Sequence, residues 1–217
     1  QQYLLIDTAG IRRKSKVYER VEKFSVLRSM SAVSRADVVL IVIDATEGVT
    51  EQDTKVAGIA HDEGKACIFV VNKWDLIEKD NKTLGNYTNE IRDMFPFMSY
   101  APILFVSAKT NQRMNKILDT VDMVAAEHSK RVSTSQLNDV IGEAVMLNQP
   151  PSDKGKRLKI YYGAQTGVKP PKITLYINSK ELTHFSYQRY LENKIRENFG
   201  FEGTSMQFEY REKDRKR

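Results

Sequence analysis

Three short runs in this 217-residue chain carry side chains that could do chemistry together. Asp7-Thr8-Ala9-Gly10 places a carboxylate three residues ahead of a glycine. An aspartate at a strand end can hold a hydrated Mg²⁺, which neutralises phosphate charge. The glycine lets its backbone N–H approach a phosphate with no Cβ in the way. In Asn72-Lys73-Trp74-Asp75, the two acceptor oxygens of Asp75 match the two donors on one edge of guanine. Charge-assisted bonds of that kind contribute roughly 1.5–3 kcal/mol each, and adenine presents no matching pair. The Asn72 amide can tie loops together, and Lys73 can lay its methylene stem along a base. In Ser107-Ala108-Lys109 the small residues let backbone N–H groups reach a guanine carbonyl. Singly, each run has a plainer reading: D-x-x-G is a turn, N-K-x-D a solvated helix start, and S-A-K carries almost no signal. Together, in this order, they point to a guanine nucleotide.

The elements that must position these runs are legible. Tyr3–Ile6, Val38–Ile43, Cys67–Val71 and Ile103–Val106 are apolar without alternation, as expected of strands buried on both faces. Helical spacing lies between them. Val17, Val21, Phe24, Leu27 and Met30 recur at three and four residues; Glu51–Asp62 and Thr83–Phe95 follow; Met114, Ile117, Leu118, Val121 and Val124 form a stripe. The β-α-β-α-β-α-β-α order predicts a doubly wound α/β sheet. Each of the three runs directly follows a strand, and ligands of such sheets bind outside the carboxyl ends of the strands.

The pattern changes near Lys130. Leu137, Val140, Ile141, Ala144 and Val145 predict a helix, broken by Asn148–Gly155 with its Pro150-Pro151. Arg157–Tyr162 and Lys172–Ile177 read as strands joined by a loop, Gly163–Pro171. Tyr187, Tyr190, Leu191, Ile195 and Phe199 give another helix, Gly200–Gly203 a turn, and Met206–Tyr210 a last strand. The second part is therefore a small α+β domain, and the expected domains are 1–130 and 131–217. Charge follows the same division. Residues 1–130 hold 18 Lys+Arg and 18 Asp+Glu, net 0; residues 131–217 hold 16 and 10, net +6. That excess is either an ordinary solvated surface or the footprint of an anionic partner such as nucleic acid.

Several classes drop out. No run approaches 18 consecutive apolar residues, so no membrane span is expected. Gln1-Gln2-Tyr3 lacks the basic start of a signal peptide. A single cysteine, Cys67, excludes an internal disulfide framework and suits a reducing, cytoplasmic setting. His61, His128 and His184 are scattered, which argues against a histidine metal site.

The three motifs resemble those of translation-factor-like GTPase domains. The match narrows with Asp7-Thr8-Ala9-Gly10-Ile11-Arg12-Arg13-Lys14, Ser25-Val26-Leu27-Arg28-Ser29 and Ala36-Asp37-Val38, which look like the second G domain of the Der (EngA) tandem GTPases. Gly167-Val168-Lys169-Pro170-Pro171 and His184-Phe185-Ser186-Tyr187-Gln188-Arg189-Tyr190-Leu191 are similar to that family's KH-like domain. The resemblance covers essentially the whole chain. It implies an incomplete P-loop-NTPase-like G domain followed by a KH-like domain. It also implies a bacterial GTPase acting in assembly of the large ribosomal subunit on ribosomal RNA, expected as a monomer, with GTP/GDP and Mg²⁺ as cofactors.

The 217 residues contain no G-x-x-x-x-G-K-[ST] phosphate loop. Gly58 and Gly64-Lys65-Ala66 are a decoy: five residues separate the glycines, Ala66 replaces the hydroxyl residue, and the run precedes a strand. The expectation is therefore a fragment that binds GTP weakly by itself, with the sheet edge beside Tyr3–Ile6 exposed and Asp7–Arg20 mobile or repacked. Ile11 stands where Ras-like enzymes carry a water-orienting glutamine, so no catalytic base is named. The resemblance suggests hydrolysis assisted by other elements, including a monovalent cation such as K⁺. The alternative reading is a catalytically inactive RNA- or ribosome-binding module.

In the second domain, Gly200-Phe201-Glu202-Gly203 matches the letters of a KH G-x-x-G loop but lies between the last helix and strand, where a helix stop is the better reading. RNA contact would rest on Lys156, Arg157, Lys159, Lys169, Lys172 and Arg189. Tyr161, Tyr162, Tyr187 and Tyr190 could stack bases, with core packing the stronger expectation. Arg12, Arg13, Lys14 and Lys16 make a further basic patch that could touch RNA or the KH-like domain according to nucleotide state.

Overall fold

The computed structural model describes residues 2–7, 31–153 and 155–213. It divides into two compact units, residues 1–125 and 126–217. The first is an α/β layer structure. Its elements are β1 (Val38–Asp44), α1 (Glu51–Asp62), β2 (Ala66–Asn72), α2 (Thr83–Met94), β3 (Ile103–Phe105) and α3 (Asn115–Ser129). The three strands are parallel in the order β1-β2-β3, with Asp44 opposite Asn72 and Val71 opposite Phe105.

The strand β2 shows why its run has no polar alternation. Cys67, Phe69 and Val71 face one core with Ile41, Ile43, Ala57, Ala60, Ile91 and Phe95. Ala66, Ile68 and Val70 face another with Val106, Val124 and the α3 stripe of Ile117 and Val121. Helices thus cover both faces, as a parallel sheet requires. Helix α1 starts on a capping box: the Thr50 hydroxyl accepts from the Asp53 N–H, and the Asp53 carboxylate accepts from the Thr50 N–H at 2.9 Å.

The expected strand at Tyr3–Ile6 does not form. Residues 2–7 are irregular, Leu4 and Leu5 are 86% and 82% exposed, and the Tyr3 hydroxyl donates to the Asp122 carboxylate at 2.8 Å. A strand needs a neighbour for its backbone groups. Among the described residues, β1 pairs with β2 alone and no strand borders 3–6. Among the described residues β1 is an edge strand of the sheet, and Val42 on one of its faces is 57% exposed. The expected helix over Val17–Met30 and the behaviour of residues 8–20 lie outside the described residues; 31–35 are helical. No helix among the described residues is long and apolar enough to cross a membrane.

The second unit begins in the last turn of α3. Glu127 accepts from the Phe201 N–H at 2.6 Å, and buried His128 Nδ1 lies 2.6 Å from Thr204 Oγ1. Then follow α4 (Thr134–Leu147), capped by Ser133, a hairpin of β4 (Ser152–Asp153) and β5 (Lys156–Arg157), β6 (Ile160–Gly167), β7 (Lys172–Ile177), α5 (Phe185–Phe199) and β8 (Gln207–Glu212). The sheet order is β6-β7-β8, antiparallel then parallel. Leu137 and Ile141 of α4, Leu191 and Ile195 of α5 and Ile173, Leu175 and Ile177 of β7 form its core.

One expectation changes here. The segment read as a loop from Gly163 is strand as far as Gly167, and the connection shrinks to 168–171. Gly163 marks close approach instead of a turn. A Cβ there would sit 2.6 Å from Ile141 Cδ1, and Asn138 of α4 bonds both the N–H and the carbonyl of Gly163. The Gly200–Gly203 turn does end α5, with Gly200 at φ 86° and fully buried Phe201 closing the core.

Candidate functional site

The carboxyl ends of β1, β2 and β3 carry Asp44, Asn72 and Ser107 side by side. Asn72 links the loops. Its carbonyl accepts from the Ala45 N–H at 2.9 Å, and its Oδ1 accepts from the Ala108 N–H at 3.0 Å. Beyond it, Lys73 adopts a left-handed conformation, φ 63°, and Trp74 turns inward. Buried Trp74 donates its backbone N–H to the Val106 carbonyl and packs against Tyr87 and Phe105. Tyr87 in turn donates its hydroxyl to the Ala45 carbonyl. The loop that presents Asp75 is thereby pinned to all three strand ends.

Asp75 is half-buried, and its Oδ1 is sequestered from solvent without a hydrogen-bond partner among the described residues. The Ser107 hydroxyl holds its carboxyl below the ordinary carboxylate range; desolvation opposes this, while Lys109 and Lys79 add to it. An ionised carboxylate with one sequestered, unsatisfied oxygen leaves a demand for a donor. A ring edge bearing adjacent N–H groups meets that demand, so the residues present fit a guanine base.

The other expected residues divide. Asn72, Lys73, Asp75, Ser107, Ala108 and Lys109 come together, with Lys109 exposed. The backbone donors differ from expectation. The Ser107 N–H is held by the Gln112 carbonyl and the Ala108 N–H by Asn72 Oδ1, so neither points free toward a base carbonyl. Asp7 is exposed in the irregular 2–7 segment, and Thr8, Ala9 and Gly10 lie outside the described residues. Among the described residues, no group of three or more His, Cys, Asp or Glu could hold a metal ion, so the Mg²⁺ expectation rests on Asp7 alone.

Sequence reasoning missed Asp44. Its side chain is 5% exposed, ion-paired to Lys73 Nζ at 2.5 Å, and accepts from the Thr46 hydroxyl and N–H at 2.8 and 3.0 Å. The available signal was an acid closing an otherwise apolar strand, VVLIVID. Burial alone would raise the Asp44 carboxyl. Lys73 and Thr46 outweigh it and push it down to about 2, from 3.8. A depressed carboxylate contributes stability above its unfolded pKa and loses it as pH falls through the folded value. Asp44 is therefore expected to contribute roughly 2 kcal/mol at neutral pH, lost between about pH 4 and pH 2. Urea unfolding followed by Trp74 fluorescence tests this: Asp44→Asn should flatten that part of the acid limb, and an unchanged limb would refute it.

The basic residues named for RNA are not assembled into one patch. Lys156, Arg157 and Lys159 sit at the Ile160 end of β6; Arg157 bonds Gln149, and the Lys159 N–H is held by Asn178. Lys169 and Lys172 lie at the Gly167 end, roughly 23 Å away along the strand. Lys172 pairs with Glu209 at 3.2 Å, and Arg189 lies over Phe185 on α5. The tyrosines split as well. Tyr187 and Tyr190 pack and donate their hydroxyls to Asn148 and Ala144 carbonyls. Tyr161 and Tyr162 are 47% and 40% exposed, contrary to the core expectation, with Tyr162 stacked on Tyr176. Both stand near the β6–β7 register shift, where alternation no longer assigns a face. The patch Arg12, Arg13, Lys14 and Lys16 lies outside the described residues.

Residues 2–127 match the elongation factor Tu GTP binding domain, and residues 131–211 match the KH-domain-like of EngA bacterial GTPase enzymes, C-terminal. GTPase Der of Alkaliphilus metalliredigens is 66% identical and that of Alkaliphilus oremlandii 61%, each over 98% of this chain and 48% of the relative. The chain thus spans about half the length of the curated relatives it matches. Among solved structures, Era in complex with MgGDPNP and 16S ribosomal RNA aligns with a TM-score of 0.47 at 18% identity, over 96% of this chain and 76% of the other.

Proposed function

The chain belongs to the Der (EngA) GTPase family, and from that premise we propose that residues 1–130 recognise the guanine of GTP and GDP within a GTP-hydrolysing factor for large-ribosomal-subunit assembly. The observation that carries this is the ionised, partly buried Asp75, its Oδ1 unsatisfied, flanked by Ser107 and Lys109. In this reading Asn72 and Lys73 frame the base, Ser107 holds Asp75 while Ala108 and Lys109 flank the base, and Asp7-Thr8-Ala9-Gly10 face the phosphates, with Asp7 near Mg²⁺. The nucleotide supplies the triphosphate whose cleavage is the reaction. Residues 131–217 form the KH-like, net +6 part that engages ribosomal RNA through Lys156, Arg157, Lys159, Lys169, Lys172 and Arg189. The protein acts as a cytoplasmic monomer, and K⁺ is a candidate helper ion.

The 217 residues by themselves hold base contacts without a G-x-x-x-x-G-K-[ST] loop. Association costs roughly 4–15 kcal/mol before any contact is made. This polypeptide alone is therefore expected to bind GTP more weakly than about 1 mM, equivalent to about −4.1 kcal/mol. Titration with a fluorescent guanine nucleotide reads this directly, and micromolar binding would sink it. The missing loop also favours a second reading, in which this polypeptide is a non-enzymatic RNA- or ribosome-binding module. Phosphate release by this polypeptide and by the full-length protein separates the two: turnover only in the latter supports the first reading for the parent. Turnover in neither leaves the binding module.

A further inference from the structure

The ion pair between Asp44 and Lys73 joins the end of one strand to the loop following its neighbour. It is built, not incidental. The Asp44 side chain is 5% exposed, while that of Lys73 is 48% exposed. The acid is also fixed from its own side by the Thr46 hydroxyl and N–H. Lys73 is constrained at three further points. Its backbone is left-handed, the preceding Asn72 is bonded to Ala45 and Ala108, and the following Trp74 is buried and bonded to Val106. A lysine on a surface loop ordinarily keeps its rotamer freedom until a ligand removes it. Here the ammonium is anchored while the side chain as a whole stays half exposed.

We propose that Asp44 is a positioning residue for guanine recognition: by anchoring Lys73 Nζ it holds the Lys73 stem and the left-handed turn in the arrangement that presents Asp75. This rests on the reading of Asp75 as the base-recognising carboxylate. Asp44 touches no ligand in this account. It acts through Lys73, by ordering in advance a side chain that would otherwise be ordered on binding.

The test is a double-mutant cycle in the full-length protein with any other guanine-nucleotide site inactivated, read as the GDP dissociation constant and off-rate with a fluorescent GDP. Asp44→Asn is a neutral isostere that keeps an acceptor for the Thr46 hydroxyl and N–H, so the fold should survive. It should weaken GDP binding roughly ten- to thirtyfold, the equivalent of one lysine's rotamer freedom, mostly through the off-rate. In a Lys73→Met background the same Asp44 change should cost less than about twofold. A merely structural Asp44 would cost the same in both backgrounds, and that result overturns the proposal. Should Asp44→Asn not fold, Lys73→Met breaks the same anchor from the solvent side, and an unchanged GDP off-rate then overturns it. Asp75→Asn run in parallel keeps the two ideas apart. If it leaves guanine preference intact, the base reading fails. If it alters that preference while the Asp44 change does nothing, only the positioning role fails.

Discussion

Replacing Asp75 by asparagine in the full-length protein, with any other guanine-nucleotide site inactivated, is expected to turn nucleotide preference from guanine to xanthine. The asparagine carbonyl can still accept the Ser107 hydroxyl that now holds the carboxylate. Its amide nitrogen then stands where an acceptor stood. Guanine, with two donors on that edge, loses one bond and gains an opposed donor pair; xanthine presents an acceptor there and gains a bond. Two charge-assisted bonds of roughly 1.5–3 kcal/mol each set the scale. GDP affinity should fall by about 10²- to 10⁴-fold, with xanthosine diphosphate overtaking it. Competition of the two nucleotides against a fluorescent probe measures the ratio. Guanine preference surviving the change would show that Asp75 does not read the base.

Phe201→Ala is expected to cost the second unit about 3–5 kcal/mol, the usual range for emptying a fully buried phenylalanine site. Its N–H is on the Glu127 carboxylate, and its carbonyl accepts from Arg196 at 2.7 Å. The run Gly200-Phe201-Glu202-Gly203 is thus a turn tied into the core. Glu202, exposed at its tip, should tolerate alanine with little change in stability. Urea unfolding followed by tyrosine circular dichroism compares the two. A loss below about 1 kcal/mol for Phe201→Ala would mean that the turn is loosely attached and open to another role.

Particular residues show how far the chain could be read in one dimension. Glu51–Asp62 was legible as a helix because its capping residues and apolar spacing are both local. The strand β2 was legible because a run buried on both faces can contain no polar position. Tyr3–Ile6 carried the same apolar signal and failed, since a strand exists only beside another strand. Gly163 was misread because a glycine needed for flexibility and one needed for close packing look alike in sequence. Asp44 was missed for a similar reason. Nothing within VVLIVID says that Lys73, 29 residues on, will close over its last residue.

The sequence by itself determined the two-part organisation, the net positive charge confined to residues 131–217 and the order of the three chemical motifs. These follow from composition and from periodicities of two and 3.6 residues, which are properties of the chain alone. Tertiary structure decided which backbone donors remain open, that Asp75 keeps an unsatisfied oxygen, that Lys73 is anchored by Asp44, and that six basic residues do not form one patch. Each of those depends on distances between residues far apart in the chain. Parallel strand register sets those distances within the first unit, and the length of a β-hairpin sets them within the second.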